Sequence, residues 1–236
     1  METEGTSALI STFAHDLRAP LRSMMMTVQR IQRSQEALSA ETQTKLDEIL
    51  KAARRQEELI SSVVEYDQAR NPGLVDDGLL QLRLAIQTAC MKVESYRQAK
   101  NGTITVDLEA VPRTLVPSGI ARVIEKIFHN SLKFQPVDAT PAVVLEASQD
   151  EAGVISVRVT DNGIGIEAAY RDLVFEPFKR LNANIEFPGS GLGLSTCRRL
   201  ISSVGGTIYI DDVRTAGTSL VMRFPGTRRP TEVGDS

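Results

Sequence analysis

Phe13-Ala14-His15-Asp16-Leu17-Arg18 sets an imidazole beside a carboxylate. An imidazole is largely uncharged at pH 7, which leaves one ring nitrogen free as a nucleophile. Asp16 could accept the other ring N–H or the departing proton and so orient the ring, much as the acid of a catalytic triad does. Taken alone, this pair reads better as a surface histidine beside an acid. In Lys126-Ile127-Phe128-His129-Asn130-Ser131-Leu132-Lys133-Phe134, Asn130 and Lys133 lie three apart. On a helix that puts an amide oxygen beside an ammonium, a pair suited to a hard cation and a phosphate, or equally to an ordinary wet face.

Asp161-Asn162-Gly163-Ile164-Gly165 follows a run that reads as a strand. An acid at a strand end followed by Gly163 and Gly165 lets the backbone approach a flat ligand closely. Asp161 could accept a hydrogen bond from an exocyclic amine, which adenine carries and guanine lacks at that position. The order of acid and glycines differs from the dinucleotide fingerprint. Gly189-Ser190-Gly191-Leu192-Gly193-Leu194 opens a helix, where free N–H groups and the positive dipole end suit a phosphate; a flexible linker is the competing reading. Between the two glycine stretches lies Phe175-Glu176-Pro177-Phe178-Lys179-Arg180-Leu181. Its aromatics could pin the base of a lid, and Lys179 or Arg180 could reach phosphates.

These residues need scaffolds of two kinds. Ile10, Ala14, Leu17, Leu21, Met24, Val28 and Ile31 recur alternately four and three apart, the seam of a helix that packs along another. Pro20 should bend that rod locally. His15 sits one step off the seam, on the side of Ala19 and Arg22, and so faces outward. A second helix is expected from about Glu41 to Ala69, with Leu46, Ile49, Ala53, Ile60 and Val63 as its stripe, widened by Leu50, Leu59 and Val64. A lone hairpin of two such rods has too little core, so a homodimeric four-helix bundle is expected; a helical arm folded onto the rest of the chain is the alternative.

Arg70-Asn71-Pro72-Gly73 is a breaker cluster and the expected domain boundary. Beyond it, helices are expected over Leu80 to Ala99, Ser118 to Phe134 (capped by Ser118) and Leu194 to Val204. Strands are expected over Gly102 to Leu108, Val143 to Ala147, Val154 to Val159, Thr207 to Ile210 and Leu220 to Phe224. That order gives an α/β sandwich, one sheet with helices on one face, and the whole chain is α+β. Gly226 to Ser236 reads as a frayed tail.

Composition excludes several classes. A net charge of −3 offers no basic field for nucleic acid or an anionic membrane. Two histidines argue against a His-rich zinc site, and Cys90 and Cys197 lie too far apart for a CxxC pair and read as reduced thiols. No apolar run approaches the ~20 residues of a membrane span and the start has no signal-peptide pattern, so a cytoplasmic protein is expected.

The order of the motifs, from the His-Asp helix through the Asn helix, DNGIG and FEPFKRL to GSGLGL, resembles the sensor histidine kinases of two-component signalling. These are their H box, N box, first glycine box, F box and second glycine box, and FAHDLRAPLR with PGSGLGLS looks closest to the bacterial phytochrome-type branch. The resemblance implies a dimerisation and phosphotransfer hairpin over 1–70, a catalytic ATP-binding domain of the Bergerat (GHKL) type over 74–226, and a flexible tail over 227–236. It implies that ATP phosphorylates His15, with Asn130 holding Mg²⁺ and Asp161 holding the adenine amine. Gly163 and Gly165 would shape the base pocket, Gly189, Gly191, Gly193 and Leu194 the phosphate lid, and Thr218 would lie near the base. Lys133 with Lys179 or Arg180 would offset phosphate charge. The phosphoryl group would pass to an aspartate of a response-regulator receiver domain, and a sensor would lie outside this chain. Two positions depart from the pattern. Lys126 stands where many members have a second Asn, and Ala19 stands where many have the Thr or Asn that positions water for receiver dephosphorylation. Lys126 leaves open a signalling scaffold or phosphotransfer protein with a degenerate nucleotide site, and an ATPase of the Hsp90 or MutL type is a third reading.

Overall fold

The chain begins as two long antiparallel helices, α1 (Glu2–Gln32) and α2 (Ala40–Gln68). The structure is a computed structural model and describes residues 2–34, 38–69, 78–181, 187, 189–212 and 217–226. The expected breaker cluster and the tail after Gly226 lie outside the described residues. Helix α1 runs through Pro20 without ending there. Ser39 starts α2 as an N-cap, its side chain accepting the Thr42 N–H at 3.1 Å.

Polar pairs set the hairpin's register. Ser7 Oγ donates to Asp67 at 2.6 Å, Arg18 to Ser61 at 3.1 Å, and Gln32 to Asp47 at 2.7 Å. His15 is therefore level with the stretch around Val64 and Glu65. The apolar seam is only half covered. Ala14, Leu21 and Val28, seven apart, are buried with Leu46, Leu50 and Ala53. Their alternates Leu17, Met24, Ile31 and Ile49 stay more than 40% exposed. A two-helix contact can cover only one side of a stripe that wide.

The second body is a sandwich. Helices α3 (Leu82–Ala99), α4 (Gly119–Lys133) and α5 (Gly193–Ser203) lie on one face of a sheet of five strands. Short β1 (Leu79–Gln81) and β3 (Leu115–Pro117) pair separately, antiparallel. The main sheet joins β2 (Thr103–Val106), β4 (Ala142–Gln149), β5 (Val154–Asp161), β7 (Ser219–Pro225) and β6 (Thr207–Asp211) in that order. Only β2–β4 is parallel. Alternate residues of β4 to β7, among them Val143, Leu145, Ile155, Val157, Ile208 and Met222, face the helices in one core. Two sequence expectations shift. Leu80 belongs to β1, and α3 starts at Leu82. Ser118 precedes α4 in a helical conformation, its Oγ buried with no partner and no side-chain cap bond. It cannot reach the next N–H groups from that backbone.

Phe128 of α4 is fully buried at the centre of this core. Phe128→Ala should cost about 3–5 kcal/mol through lost transfer energy and the cavity left behind. Urea unfolding of the chain measures it, and a change below about 1 kcal/mol would place this ring outside the core.

Candidate functional site

Strand β5 ends on Asp161, and the chain turns there because the carboxylate gathers the donors around it. Its Oδ1 accepts the N–H of Gly163 and of Thr218, each at 3.0 Å, and its Oδ2 accepts the Ser131 hydroxyl at 2.8 Å. The Asp161 N–H donates to the Thr218 carbonyl at 2.9 Å. One side chain thus ties together β5, the N-terminal approach to β7, and α4. Burial is the largest influence on Asp161 and raises its pKa above the usual carboxylate range, with the three hydrogen bonds opposing. Gly163 is required beside it: a Cβ would collide with the Phe134 carbonyl and come within 2.9 Å of Asp161 Oδ1. Asn162 is spent on structure, accepting the Ala142 N–H and donating to the Thr140 carbonyl.

Asp161 opens onto a cavity of about 810 Å³ between α4, the glycine stretches and α2. That is ample for a nucleotide. Asn130 and Lys133 line it from α4, as do Gly165, Thr218, Lys179, Arg180, Gly189, Gly191, Gly193 and Leu194 from the loops and α5. Gly163 is buried behind the wall, and neither His15 nor Asp16 reaches the cavity. Thr218 holds Asp161 through its backbone N–H. The chain's other histidine, His129, stacks on Tyr96 at 4.5 Å, and burial with the nearby Lys133 and Lys126 ammoniums lowers its pKa.

Cationic side chains also line the cavity. Burial and the neighbouring Arg180 push the Lys133 pKa down. Arg180 donates to the Phe187 carbonyl at 3.1 Å, and Lys179 lies 4.0 Å from Glu176. Helix α5 starts at Gly193 with no side-chain cap, so its first N–H groups remain available to an anion. Gly191 has φ +71°, and a Cβ there would sit 2.9 Å from the Phe178 backbone. That close approach, with the Phe178 N–H donating to the Gly191 carbonyl at 3.0 Å, joins the FEPFKRL stretch to the second glycine stretch. Phe175 is buried as the anchor; Phe178, the other aromatic expected to pin the lid base, is 59% exposed. It extends outward at a positive φ of 63°.

His15 stands on the exposed side of α1, its Nδ1 3.6 Å from Asp16 Oδ1. That is longer than a hydrogen bond but within a small side-chain rotation of one. Sequence reasoning missed Ser131, whose only signal is its place beside Asn130, and the aromatic wall of Phe134 and Phe187, whose rings lie 5.1 Å apart. It also missed Glu58 and Glu65 of α2, which line the cavity from the other body.

Asp161→Asn keeps the Oδ1 acceptor, and its amide can donate to the Ser131 oxygen. It removes the titration. A carboxyl with a raised folded-state pKa contributes stability below its unfolded value and loses it as pH rises through the folded one. The parent protein should therefore lose more urea resistance than Asp161→Asn between about pH 4 and about pH 7. Equal losses would contradict the raised pKa.

Comparison with known proteins matches residues 6–72 to the His Kinase A (phospho-acceptor) domain and residues 115–228 to the histidine kinase-, DNA gyrase B- and HSP90-like ATPase domain. The adaptive-response sensory kinase SasA of Synechocystis sp. is 29% identical over 92% of this chain and 58% of its own length. Cyanobacterial phytochrome A of Nostoc sp. is 24% identical over 95% of this chain and 29% of its own. The chain thus spans little more than half the length of SasA and less than a third of the phytochrome. Full-length ShkA in complex with AMPPNP has the same fold, with a TM-score of 0.71 and 20% identity over 94% of this chain and 46% of that one. The mycobacterial sensor histidine kinase MprB has a TM-score of 0.54 and 26% identity over 63% of this chain and 97% of that one. With a phospho-acceptor hairpin and an ATPase sandwich matched in order along one chain, the protein belongs to the sensor histidine kinases.

Proposed function

We propose that this chain binds ATP with Mg²⁺, transfers the γ-phosphoryl group to His15, and passes it on to an aspartate of a response-regulator receiver domain. The observation that carries the reading is the lining of the cavity: Asp161 supplies a part-buried acceptor, while Lys133, Arg180 and the bare start of α5 supply cations and N–H donors. An adenine amine suits the first and a triphosphate the second. Among the described residues no cluster of three or more His, Cys, Asp or Glu could hold a metal ion. A hard cation fits here only with phosphate and water oxygens as most of its ligands, and Asn130 would supply the protein's oxygen. When bound, Mg²⁺ would neutralise phosphate charge.

His15 has its Nδ1 toward Asp16, so Nε2 is the nitrogen that would attack in line. An N–P bond forms as the bond between the γ-phosphorus and the bridging oxygen breaks, and ADP leaves with the electron pair. Asp16 would then take the Nδ1 proton. Positioning supplies most of the acceleration, so the sandwich must carry its cavity to His15. A second copy would cover Leu17, Met24, Ile31 and Ile49, which supports a homodimer through the hairpin. The free thiols Cys90 and Cys197 suit a reducing cytoplasm. No helix among the described residues is long and apolar enough to cross a membrane.

Incubation with γ-labelled ATP and Mg²⁺ should give an acid-labile, alkali-stable label that His15→Ala abolishes. Label that survives in His15→Ala would sink the assignment, as would phosphate release with no labelling. Failure to take up label at all would favour a scaffold. Ala19 has no hydrogen-bonding group to position a water one turn from His15. Adding the protein should therefore leave a phosphorylated receiver stable, and Ala19→Thr should hasten its loss; rapid loss with Ala19 intact would refute this.

A further inference from the structure

Lys126 and Lys133 are seven residues apart on α4, which stacks them two turns apart on one face. Glu58 and Glu65 have the same spacing on α2, and all four side chains line the cavity. Lys126 Nζ lies 2.7 Å from Glu65 Oε2, and the two side chains are only 23% and 27% exposed. At the other end of this ladder the Glu58 carboxylate acts on the Lys133 ammonium, opposing burial and Arg180. A further contact fastens the same two bodies. Arg199 of α5 lies 3.6 Å from the centre of the Tyr66 ring and donates to the Tyr66 carbonyl at 3.2 Å.

The phosphate side of the cavity thus already faces carboxylates from the hairpin. A triphosphate placed there puts like charges close to Glu58 and Glu65, in a partly desolvated site where screening is weak. The same two lysines cannot fully pair with both sets of anions. We infer that Glu58 and Glu65 form an electrostatic latch that holds the sandwich against α2 through Lys133 and Lys126, and that a triphosphate competes with this latch and releases it. Nucleotide loading and freeing of the sandwich to reach His15 are then one coupled event, and by linkage the docked arrangement weakens triphosphate binding to the same degree. The inference rests on the ATP reading above.

The test uses the full chain, a non-hydrolysable ATP analogue with Mg²⁺, and adenosine as the phosphate-free control. Glu58→Gln with Glu65→Gln should raise affinity for the analogue about 3- to 10-fold, as expected for removing partly screened like charges. Affinity for adenosine should not change. In the parent, energy transfer between dyes attached at the exposed positions Arg55 and Ser202 should fall when the analogue is added. The charge swap Glu65→Lys with Lys126→Glu keeps both the ion pair and the net charge of the cavity lining. It should preserve docking and gain no affinity. An unchanged affinity for the analogue in the double Gln variant overturns the latch, as does an equal gain for adenosine or unchanged energy transfer in the parent. Absence of analogue binding in both parent and variant overturns the ATP reading itself and the latch with it.

Discussion

The structure of the site depends on one part-buried carboxylate. Asp161 holds three donors from separate parts of the chain, and those bonds fix where α4, the end of β5 and the approach to β7 meet. An ionised group taken out of water is stable only when its lone pairs are satisfied. Here three of its acceptor positions are used, acceptor capacity remains at Oδ2, and Asp161 lines the cavity. Gly163 and Ser131 follow from that requirement, one by leaving room for the carboxylate and the other by donating to it. The cavity is what remains once the sheet's helices are anchored around this point.

The second constraint is that the chemistry is divided between two bodies. His15 stands exposed on α1, while the cavity opens against α2 at the same height along the hairpin. Neither His15 nor Asp16 lines the cavity, so the proposed transfer to His15 requires the sandwich to move. The hairpin is also incomplete as a packed unit, with half of a continuous seam uncovered. Both features fit the proposed dependence of activity on rearrangement and assembly. The Lys126–Glu65 pair joins α4 of the sandwich to α2 of the hairpin within the cavity lining.

Much of this was legible in the sequence because the signals were local. The alternating three-and-four spacing of Ala14, Leu17, Leu21, Met24 and Val28 specifies a seam, and the glycine stretches mark turns at strand and helix ends. What stayed hidden depends on contacts between distant residues. Ser131 matters through a residue 30 positions away, and Lys126 through one 61 positions away. Lys126 departs from the family pattern in the sequence, and only the structure shows that its ammonium pairs with Glu65 of the hairpin at the cavity wall. Thr218 lines the cavity, but its bond to Asp161 runs through its N–H, which every residue except proline has. The Ser118 cap failed because residue type alone does not fix the backbone angles a cap needs.

The central claim is that the Asp161 carboxylate selects an adenine base. Binding of ATP and of GTP to the same preparation, each with Mg²⁺ and measured by calorimetry, tests it most directly. Guanine presents a carbonyl oxygen where adenine presents an amine, so GTP would set acceptor against buried acceptor. The account predicts ATP binding at least about 100-fold tighter, since a site built around one hydrogen bond rejects a ligand that leaves it unpaired. Equal affinities for the two nucleotides would contradict it.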